Sequence, residues 1–337
     1  MKLLKYIGIF AAVVVGLLAL LTGYAAVKNS ILSSKWRAAL PVNGKLVDAG
    51  TTKLCIIEKG TASPAVIIET GLGSTAAEWA GVQDALSKRA RVILYERAGY
   101  GHSGDAQGAR APEAIVNELK FALEKEGITP PYVIVGHDIG ALYAEYFART
   151  DPFAVVGVVL VDPLPLNFER FKKELDPGVY NNFIDRTPGL QMGRAFAAMG
   201  AMRALSIVPY RTYPSVIKQD LVEAWSQSRF YETMVSEYRK GFREGSAKLA
   251  EAGPFPKIPL VVIEHSPKLY HDDMMFWGVP VDQARKIETI TRDAYDRYLK
   301  LSPRAERIVS AKSMKNIHFD EPELLVRIVD EMVQRFR

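Results

Sequence analysis

The fold of this chain is decided by one stretch near its middle, Tyr132-Val133-Ile134-Val135-Gly136-His137-Asp138-Ile139-Gly140-Ala141-Leu142. Its first part is a mostly β-branched apolar run, typical of a strand that is buried on both faces. The next part reads Gly-x-Asp-x-Gly and leads into a helical pattern, which indicates a sharp strand-to-helix turn. Such a turn strains the backbone of its central residue, and side chains at Gly136 or Gly140 would collide with neighbouring structure. We therefore predict that the turn presents the Asp138 carboxylate at a helix N-terminus, where its charged and nucleophilic form is favoured.

Apolar runs of strand length alternate with amphipathic helical segments on both sides of this stretch. This alternation predicts an α/β protein whose mostly parallel sheet is flanked by helices on both faces. The predicted strands are Leu54–Glu58, Ala65–Glu69, Val92–Tyr95, Tyr132–Val135, Val156–Val161, Leu260–Glu264 and Arg307–Ser310.

The alternation stops between about Leu164 and Gly253, where Met, Trp, Tyr and Phe mix with charged residues at helical spacing. We predict a helical cap over residues 164–256, inserted between two core segments at 46–163 and 257–337. Open α/β sheets bind ligands at the carboxyl ends of their strands. An apolar cap at that edge would enclose a pocket for a small or medium apolar molecule.

The N-terminal segment has the composition of a membrane helix. Lys2 and Lys5 precede the stretch from Tyr6 to Val27, which contains no charged residue. At about 1.5 Å of rise per residue, a stretch of this length spans a bilayer of roughly 30 Å. We predict an N-terminal flank, a transmembrane anchor and a linker, at residues 1–5, 6–27 and 28–45.

A cleaved signal peptide is the alternative to an anchor, because Ala25 and Ala26 resemble a small-residue cleavage site. Positive charges flank the apolar run on both sides, so charge leaves the orientation of the helix open. We predict that the catalytic body lies outside the cytoplasm and that the helix makes the lipid bilayer a partner of the protein.

The composition argues against several classes of function. The 337 residues carry 43 Lys+Arg against 38 Asp+Glu, a net charge of +5, and the charges are interleaved, which argues against nucleic-acid binding.

Cys55 is the single cysteine, so neither an internal disulfide nor a thiolate metal site is expected. His265 and His271 lack the register of a metal-binding pair. Gly99-Tyr100-Gly101 lacks the spacing of a dinucleotide-binding turn. We expect no metal and no cofactor, and the oligomeric state stays open.

Two further loops follow predicted strands at positions that would complete a site around Asp138. Glu69-Thr70-Gly71-Leu72-Gly73-Ser74 begins at the end of an upstream strand, and Asn316-Ile317-His318-Phe319-Asp320-Glu321-Pro322 lies between the last strand and the last helix. The carboxyl ends of parallel strands meet at one edge of a sheet, so these loops are expected near the turn. The chain order nucleophile, acid, histidine is therefore possible.

Two carboxylates compete for the role of the acid that would orient His318. A carboxylate that accepts an imidazole N–H fixes the tautomer and supports the cationic form in the transition state. Asp162 follows one predicted strand, in Leu160-Val161-Asp162-Pro163, and Glu264 ends another. We predict Asp162 as the acid, with Glu264 as the alternative.

The chain from about Leu46 to Arg337 resembles the α/β-hydrolase superfamily, of the AB hydrolase-1 type. The specific part runs from Tyr95 to Ala148 and is similar to a bacterial branch that reads roughly Tyr-Asp-Arg-Ala-Gly-Tyr-Gly and then Pro-Pro-Tyr-Val-Leu-Val-Gly-His-Ser. Asp138 stands at the position of that serine, as an aspartate does in haloalkane dehalogenases, haloacetate dehalogenases and epoxide hydrolases. Glu96 stands where aspartate is usual, and Ile317 where glycine is usual.

The resemblance implies a two-step hydrolysis at saturated carbon. Asp138 would form an alkyl ester, His318 would activate the water that hydrolyses it, and the backbone N–H groups of Leu72 and Ile139 would stabilise the oxyanion. Ile139 replaces the halide-binding Trp of many dehalogenases, and Gly71–Ser74 lacks the His-Gly-x-Pro pattern of epoxide hydrolases. We therefore expect a membrane-anchored hydrolase of a small or medium apolar substrate, with the subclass open.

Two alternatives to this enzyme remain at the sequence level. One is a non-catalytic member of the fold that binds a ligand, because the surroundings of Asp138 are esterase-like while the serine is missing. The other is ester hydrolysis by a different serine, such as Ser74 or Ser103.

Overall fold

One eight-stranded sheet carries the core of the protein, with the strand order β1-β2-β4-β3-β5-β6-β7-β8. The computed structural model describes residues 2–208 and 215–337. Strands β1 and β2 pair antiparallel, as do β2 and β4, and all other neighbours are parallel. The strands are β1 (Gly44–Asp48), β2 (Lys53–Lys59), β3 (Ala65–Glu69), β4 (Arg91–Glu96), β5 (Tyr132–His137), β6 (Val155–Val161), β7 (Leu260–Glu264) and β8 (Ala305–Val309).

The predicted α/β fold, a mostly parallel sheet flanked by helices, is confirmed. Strands β3 and β7 have the predicted bounds, and the other five predicted strands overlap observed ones. Strand β1 was not predicted. It lies at the edge of the sheet and buries only Val47 fully, while Leu46 is 44% exposed, so it lacks the continuous apolar run of a central strand.

Both faces of the sheet are buried. Successive strand residues point to opposite faces, so Ile67 and Ile134 join one apolar cluster while Val66 and Val133 join the other. This alternation within continuous apolar runs explains why the central strands show no polar face in the sequence.

Helices cover the sheet and form the insertion between β6 and β7. Two short π-helical segments, Tyr180–Ile184 and Tyr238–Arg243, also lie in this insertion. Within its described residues the insertion contains helices and no strand, as the sequence pattern indicated, and residues 209–214 of the predicted cap lie outside the described part. The α-helices are α1 (Lys2–Ala38), α2 (Ala76–Leu86), α3 (Pro112–Lys125), α4 (Gly140–Thr150), α5 (Phe168–Glu174), α6 (Pro177–Val179), α7 (Thr187–Ala198), α8 (Ala201–Ala204), α9 (Ser215–Trp225), α10 (Ser228–Glu237), α11 (Gly245–Glu251), α12 (Pro267–Phe276), α13 (Val281–Leu299), α14 (Ile317–Asp320) and α15 (Pro322–Gln334).

The first half of helix α1 is exposed, and by length and composition the segment Leu4–Ala38 is sufficient to cross a membrane. A signal sequence near an N-terminus has the same properties. The linker predicted over 28–45 is wrong as far as Ala38, because the helix continues through it without a break.

The second half of α1 packs on the cap and on the core. The buried Asn29 side chain donates hydrogen bonds to the carbonyls of Ala197 (3.0 Å) and Ser226 (2.8 Å). Arg203 donates to the Asn29 amide oxygen at 2.7 Å. The Trp36 ring then lies 4.0 Å from that of His102, on the core. A segment with these partners is part of the folded body and not a linker.

Candidate active site

The turn after β5 has the geometry that the Gly-x-Asp-x-Gly sequence predicts. Asp138 has a φ of +51°, a left-handed conformation that a residue with a side chain adopts only at a cost. A Cβ on Gly140 would lie 2.3 Å from the carbonyl oxygen of Glu69, and one on Gly136 would lie 2.7 Å from the carbonyl oxygen of Gly140. Glycine is therefore required on both sides of the aspartate, since backbone atoms occupy the space of a side chain.

Asp138 contacts the first of the two predicted oxyanion donors. Its Oδ2 accepts a hydrogen bond from the Leu72 backbone N–H at 3.1 Å. Ile139, which carries the second predicted donor, follows directly and is buried at the start of α4. The structure thus brings Asp138, Leu72 and Ile139 together at the carboxyl ends of β3 and β5.

A cavity between the strand ends and the cap includes Asp138 in its wall. It is an open cleft, and the empty space in and around it, including adjoining solvent, amounts to about 510 Å³. Phe171, Phe183 and Tyr238 line it from the cap, and Asp162 lines it from the end of β6. Asp138 is half-buried, so the carboxylate is available to a small molecule in this cavity.

Asp162, the predicted acid, binds a different histidine from the predicted one. Its Oδ1 lies 2.6 Å from His265 Nδ1 and accepts a hydrogen bond from the Tyr295 hydroxyl at 2.7 Å. Burial is the largest single influence and raises the pKa of Asp162. The charge and hydrogen bond of His265, the charge of Lys315 and the hydroxyl of Tyr295 together outweigh it and hold that pKa below its usual value. The pairing of Asp162 with His318 is therefore wrong for this structure.

His265 is held as an imidazolium by carboxylates on both sides. Burial alone would lower its pKa, but Asp162 and Glu288, which lies 3.3 Å from Nε2, raise it to about 9. The sequence did not predict this role for His265, which was considered only as a metal ligand. The available signal was its position directly after β7, where a side chain can meet the end of β6.

Glu264, the alternative acid, also has another partner. It forms an ion pair with Arg307 at 2.7 Å, on the neighbouring strand β8. The carboxylate of Glu264 is thus paired with Arg307, and the alternative prediction that Glu264 orients His318 is also wrong for this structure.

His318 lies in α14, buried against two aromatic rings. It stacks on Trp79 with ring centroids 4.4 Å apart and an interplanar angle of 5°, and the His137 ring is 4.8 Å away. In the described part of the chain neither of its ring nitrogens has a hydrogen-bond partner. Burial lowers the pKa of His318 well below its usual value, and nearby His137 lowers it further. The ring is therefore neutral at physiological pH.

His318 is connected to the turn through His137 and does not line the cavity. A Cβ on Gly71 would lie 2.8 Å from His137 Nδ1 and 3.2 Å from the Asp138 Cβ. The loop that contains Leu72 therefore lies directly against both His137 and Asp138, and the His137 ring is adjacent to that of His318.

Hydrogen bonds of Arg97 connect the loop that contains Leu72 to the cap. Its guanidinium donates to the carbonyls of Thr70 (2.8 Å) and Gly71 (3.0 Å). It also donates to both carboxylate oxygens of Glu237 on α10, at 2.9 and 3.0 Å. All of these groups lie in the interior, where a charge is retained only with a partner. The sequence does not predict this role, because Glu237 lies 140 positions away from Arg97.

One group in the described residues could hold a metal ion. Ligand atoms of Cys55, Glu96 and His102 lie within 4.8 Å of one another. Burial, with a further contribution from Glu96, raises the pKa of the Cys55 thiol. Because metal ions bind the thiolate, the protonated thiol makes this cluster a poor metal site.

Comparison with known proteins agrees with the fold. The family described as alpha/beta hydrolase fold matches residues 64–263, more than half of the chain. The uncharacterized protein YqjL of Bacillus subtilis (strain 168) is 21% identical over 267 residues, which are 79% of this chain and 82% of that protein.

Two solved structures illustrate the range of proteins with this architecture. The Cif epoxide hydrolase from Acinetobacter nosocomialis has a TM-score of 0.67 at 15% identity, covering 93% of this chain and 96% of its own. The enol-lactonase from Burkholderia xenovorans LB400 has a TM-score of 0.58 at 17% identity, covering 86% and 99%. At these identities the likeness extends to the fold alone.

Proposed function

Because this chain belongs to the α/β-hydrolase fold family, we propose that it is a membrane-anchored hydrolase in which Asp138 forms a covalent ester with a small substrate. The observation that carries the proposal is the placement of Asp138: left-handed backbone, half-buried carboxylate in a cavity wall, and Oδ2 on the Leu72 N–H. An aspartate at this position suits attack on saturated carbon, since attack on an ester would give an anhydride without advantage.

The first step forms one bond and breaks one. A carboxylate oxygen of Asp138 bonds to the electrophilic carbon, and the bond to the leaving group breaks with its electron pair on the leaving group. In the second step water adds to the carbonyl carbon of the Asp138 ester. The oxyanion that forms is stabilised by the backbone N–H groups of Leu72 and Ile139. Collapse of this intermediate releases an alcohol and restores the Asp138 carboxylate, and the one proton left over from water passes from the base to solvent.

His318 is our candidate for the base that activates this water. It lies beside His137 and outside the cavity wall, so the role requires its ring to shift toward Asp138. A general base must be unprotonated, and the lowered pKa of His318 meets this condition. His265, the other imidazole at these strand ends, is charged and held by Asp162 and Glu288, so it has no free nitrogen to accept a proton. With no carboxylate on His318, the second step is expected to be the slow one.

The anchor is the second part of the proposal. Ala25, where a signal peptidase would act, lies inside helix α1 with its carbonyl oxygen 2.5 Å from the position of a Cβ on Gly200 of the cap. This packing supports a retained helix that spans the bilayer once. We further propose, from the sequence prediction alone, that the catalytic body lies outside the cytoplasm. The names of the epoxide hydrolase and the enol-lactonase support a hydrolase without indicating the substrate.

Trapping the ester tests the mechanism. The His318→Gln variant should stop water activation and leave a substrate adduct on Asp138, visible as a mass increase of the intact protein. The panel consists of alkyl halides, epoxides and esters. The Asp138→Asn variant, which keeps the shape of the side chain, is the matched control and should form no adduct.

An adduct that persists in Asp138→Asn, or its absence together with no turnover of any panel member by the unchanged protein, would contradict the proposal.

A non-catalytic binding protein is the second candidate, favoured by the missing carboxylate on His318. In that case Asp138→Ala would keep ligand-dependent thermal stabilisation and no variant would show turnover. Catalysis by Ser103 is disfavoured, because its hydroxyl donates to the Glu96 carbonyl at 2.5 Å and accepts from the Cys55 N–H at 2.7 Å. A serine-reactive phosphonate that labels the protein at Ser74 would support the remaining serine alternative.

A further inference from the structure

We propose that Lys315 forms an anion-binding subsite in the Asp138 cavity, and that this subsite holds a carboxylate carried by the substrate. The inference rests on the proposed function and names the class of substrate: a small organic acid with an electrophilic carbon near its carboxylate.

Lys315 reaches the cavity from the loop between β8 and α14. Its side chain lines the cavity together with Asp138 and Asp162. The backbone carbonyl of the same residue accepts a hydrogen bond from His137 Nε2 at 3.1 Å, which fixes the loop beside the turn. The ammonium group lies 4.7 Å from the centre of the Tyr270 ring.

The ammonium group of Lys315 differs from the other enclosed cations of the protein. Arg97 pairs with Glu237 at 2.9 Å and Arg110 with Glu118 at 2.7 Å. Over the described ranges Lys315 forms no salt bridge, and its contact is the face of an aromatic ring. A cation–π contact replaces only part of the stabilisation that an opposite charge gives an enclosed ammonium. Such a group is available to a ligand anion.

The charged groups around the cavity leave Lys315 accessible to an anion. Asp138 and Asp162 contribute two negative charges to the wall, and Arg186 and Lys315 contribute two positive ones. Behind the wall, the positive charge of His265 lies between the carboxylates of Asp162 and Glu288. These charges balance, so an anion would bind through direct contact with the Lys315 ammonium group and not through a net positive field.

Lys315 is charged under the conditions of binding. Burial is the largest single influence and lowers the pKa of its ammonium group, but Tyr270, Asp162 and Asp138 together raise that pKa above its usual value. With the carboxylate of the ligand on Lys315, a carbon a few bonds away faces Asp138 in the same small cavity. The positive charge of Lys315 would then bind the carboxylate of the substrate, and the negatively charged Asp138 would attack the electrophilic carbon of the same molecule.

Binding of non-reactive ligands tests the subsite without any chemistry. Propionate and its neutral isostere propionamide are titrated by calorimetry into the full-length protein and its variants in detergent. We expect propionate to bind at least about tenfold more tightly than propionamide, and Lys315→Met to remove this preference. Lys315→Arg should keep much of it. Lys312→Met is the matched control, because Lys312 is exposed in the same loop and should have no effect.

Equal binding of propionate and propionamide, or a preference that survives in Lys315→Met with an unchanged melting temperature, would overturn the subsite. Asp138→Asn separates this inference from the proposed function. This variant removes a negative charge from the cavity wall and should bind propionate more tightly than the unchanged protein does. If it does so while His318→Gln forms no adduct, the subsite is supported and the covalent mechanism fails.

Kinetics distinguish a substrate carboxylate from a leaving anion. If the anion belongs to the substrate, Lys315→Met raises KM for acidic halides by a much larger factor than KM for neutral ones. A fall in kcat for acidic and neutral halides alike, with KM unchanged, would overturn the assignment, since it would place the leaving group on Lys315.

Discussion

Asp162 and His265 are joined by a 2.6 Å hydrogen bond between Oδ1 and Nδ1, across 103 positions of sequence. The two residues end neighbouring strands, so the parallel pairing of β6 with β7 brings them together. Tyr295 adds a hydroxyl at 2.7 Å from the same carboxylate oxygen. The pair therefore anchors three elements behind the cavity wall.

This pair makes stability depend on pH in a predictable direction. The pKa of His265 is about 9 in the folded chain against an ordinary value of 6.5. Its contribution is therefore complete below about pH 6.5 and is lost as the pH rises through 9. We expect the free energy of unfolding to fall by up to about 3 kcal/mol between these values. Chemical denaturation at several pH values measures this, and an equal fall in His265→Gln would contradict it.

The backbone at position 138 restricts what can replace the aspartate. Asn tolerates the left-handed region, whereas a β-branched residue does not. Asp138→Asn should change the free energy of unfolding by less than about 1 kcal/mol, and Asp138→Val should lower it by about 2 to 3 kcal/mol. Urea denaturation of both variants checks this. Equal stability of the two would mean that the φ of +51° at this position is not strained.

The buried pair of Arg97 and Glu237 joins the Leu72 loop to the cap. Arg97→Met leaves the Glu237 carboxylate without its counter-charge and should cost about 3 to 5 kcal/mol of folding free energy. The double variant Arg97→Met/Glu237→Met removes both charges and should recover part of that loss. Denaturation of the two single variants and the double variant forms the cycle. Additive effects would show that the pair is not coupled.

A fourth prediction concerns the contact between helix α1 and the cap. Asn29→Ala removes hydrogen bonds to the carbonyls of Ala197 and Ser226 and should cost about 1 to 3 kcal/mol. The same variant should expose the cap to limited proteolysis near α8. Ile31→Ala, on the exposed side of the same helix, is the control and should resemble the unchanged protein. Equal protection of all three proteins would mean that α1 does not hold the cap.

The turn at Asp138 and the central strands were predictable because their signals are local. Two glycines around one aspartate specify the turn, and continuous apolar runs specify strands that are buried on both faces. The partners of Asp162 and Glu264 were not predictable, since strand order and register decide which side chains meet. From the sequence alone, either carboxylate could have been the partner of His318. The sheet instead pairs Asp162 with His265 and Glu264 with Arg307.

The predicted linker failed for a similar reason. Residues 28–38 carry charged and polar groups that look like a solvated connection, yet Asn29 and Trp36 find partners far along the chain. A contact between residues about 200 positions apart leaves no periodic trace in either segment. Lys315 was missed because a single lysine in a loop has no pattern at all.

Helix α1 touches both halves of the body, since Asn29 is fixed to the cap and Trp36 lies on His102 of the core. It therefore acts as a strut that sets the spacing between lid and sheet. A shortened protein that starts before Ala25 keeps this strut, whereas one that starts after Ala38 loses it. The second half of this helix is thus part of the structure that shapes the cavity. Under the anchoring that we propose, cleavage of the chain after Ala38 would release a body without its strut.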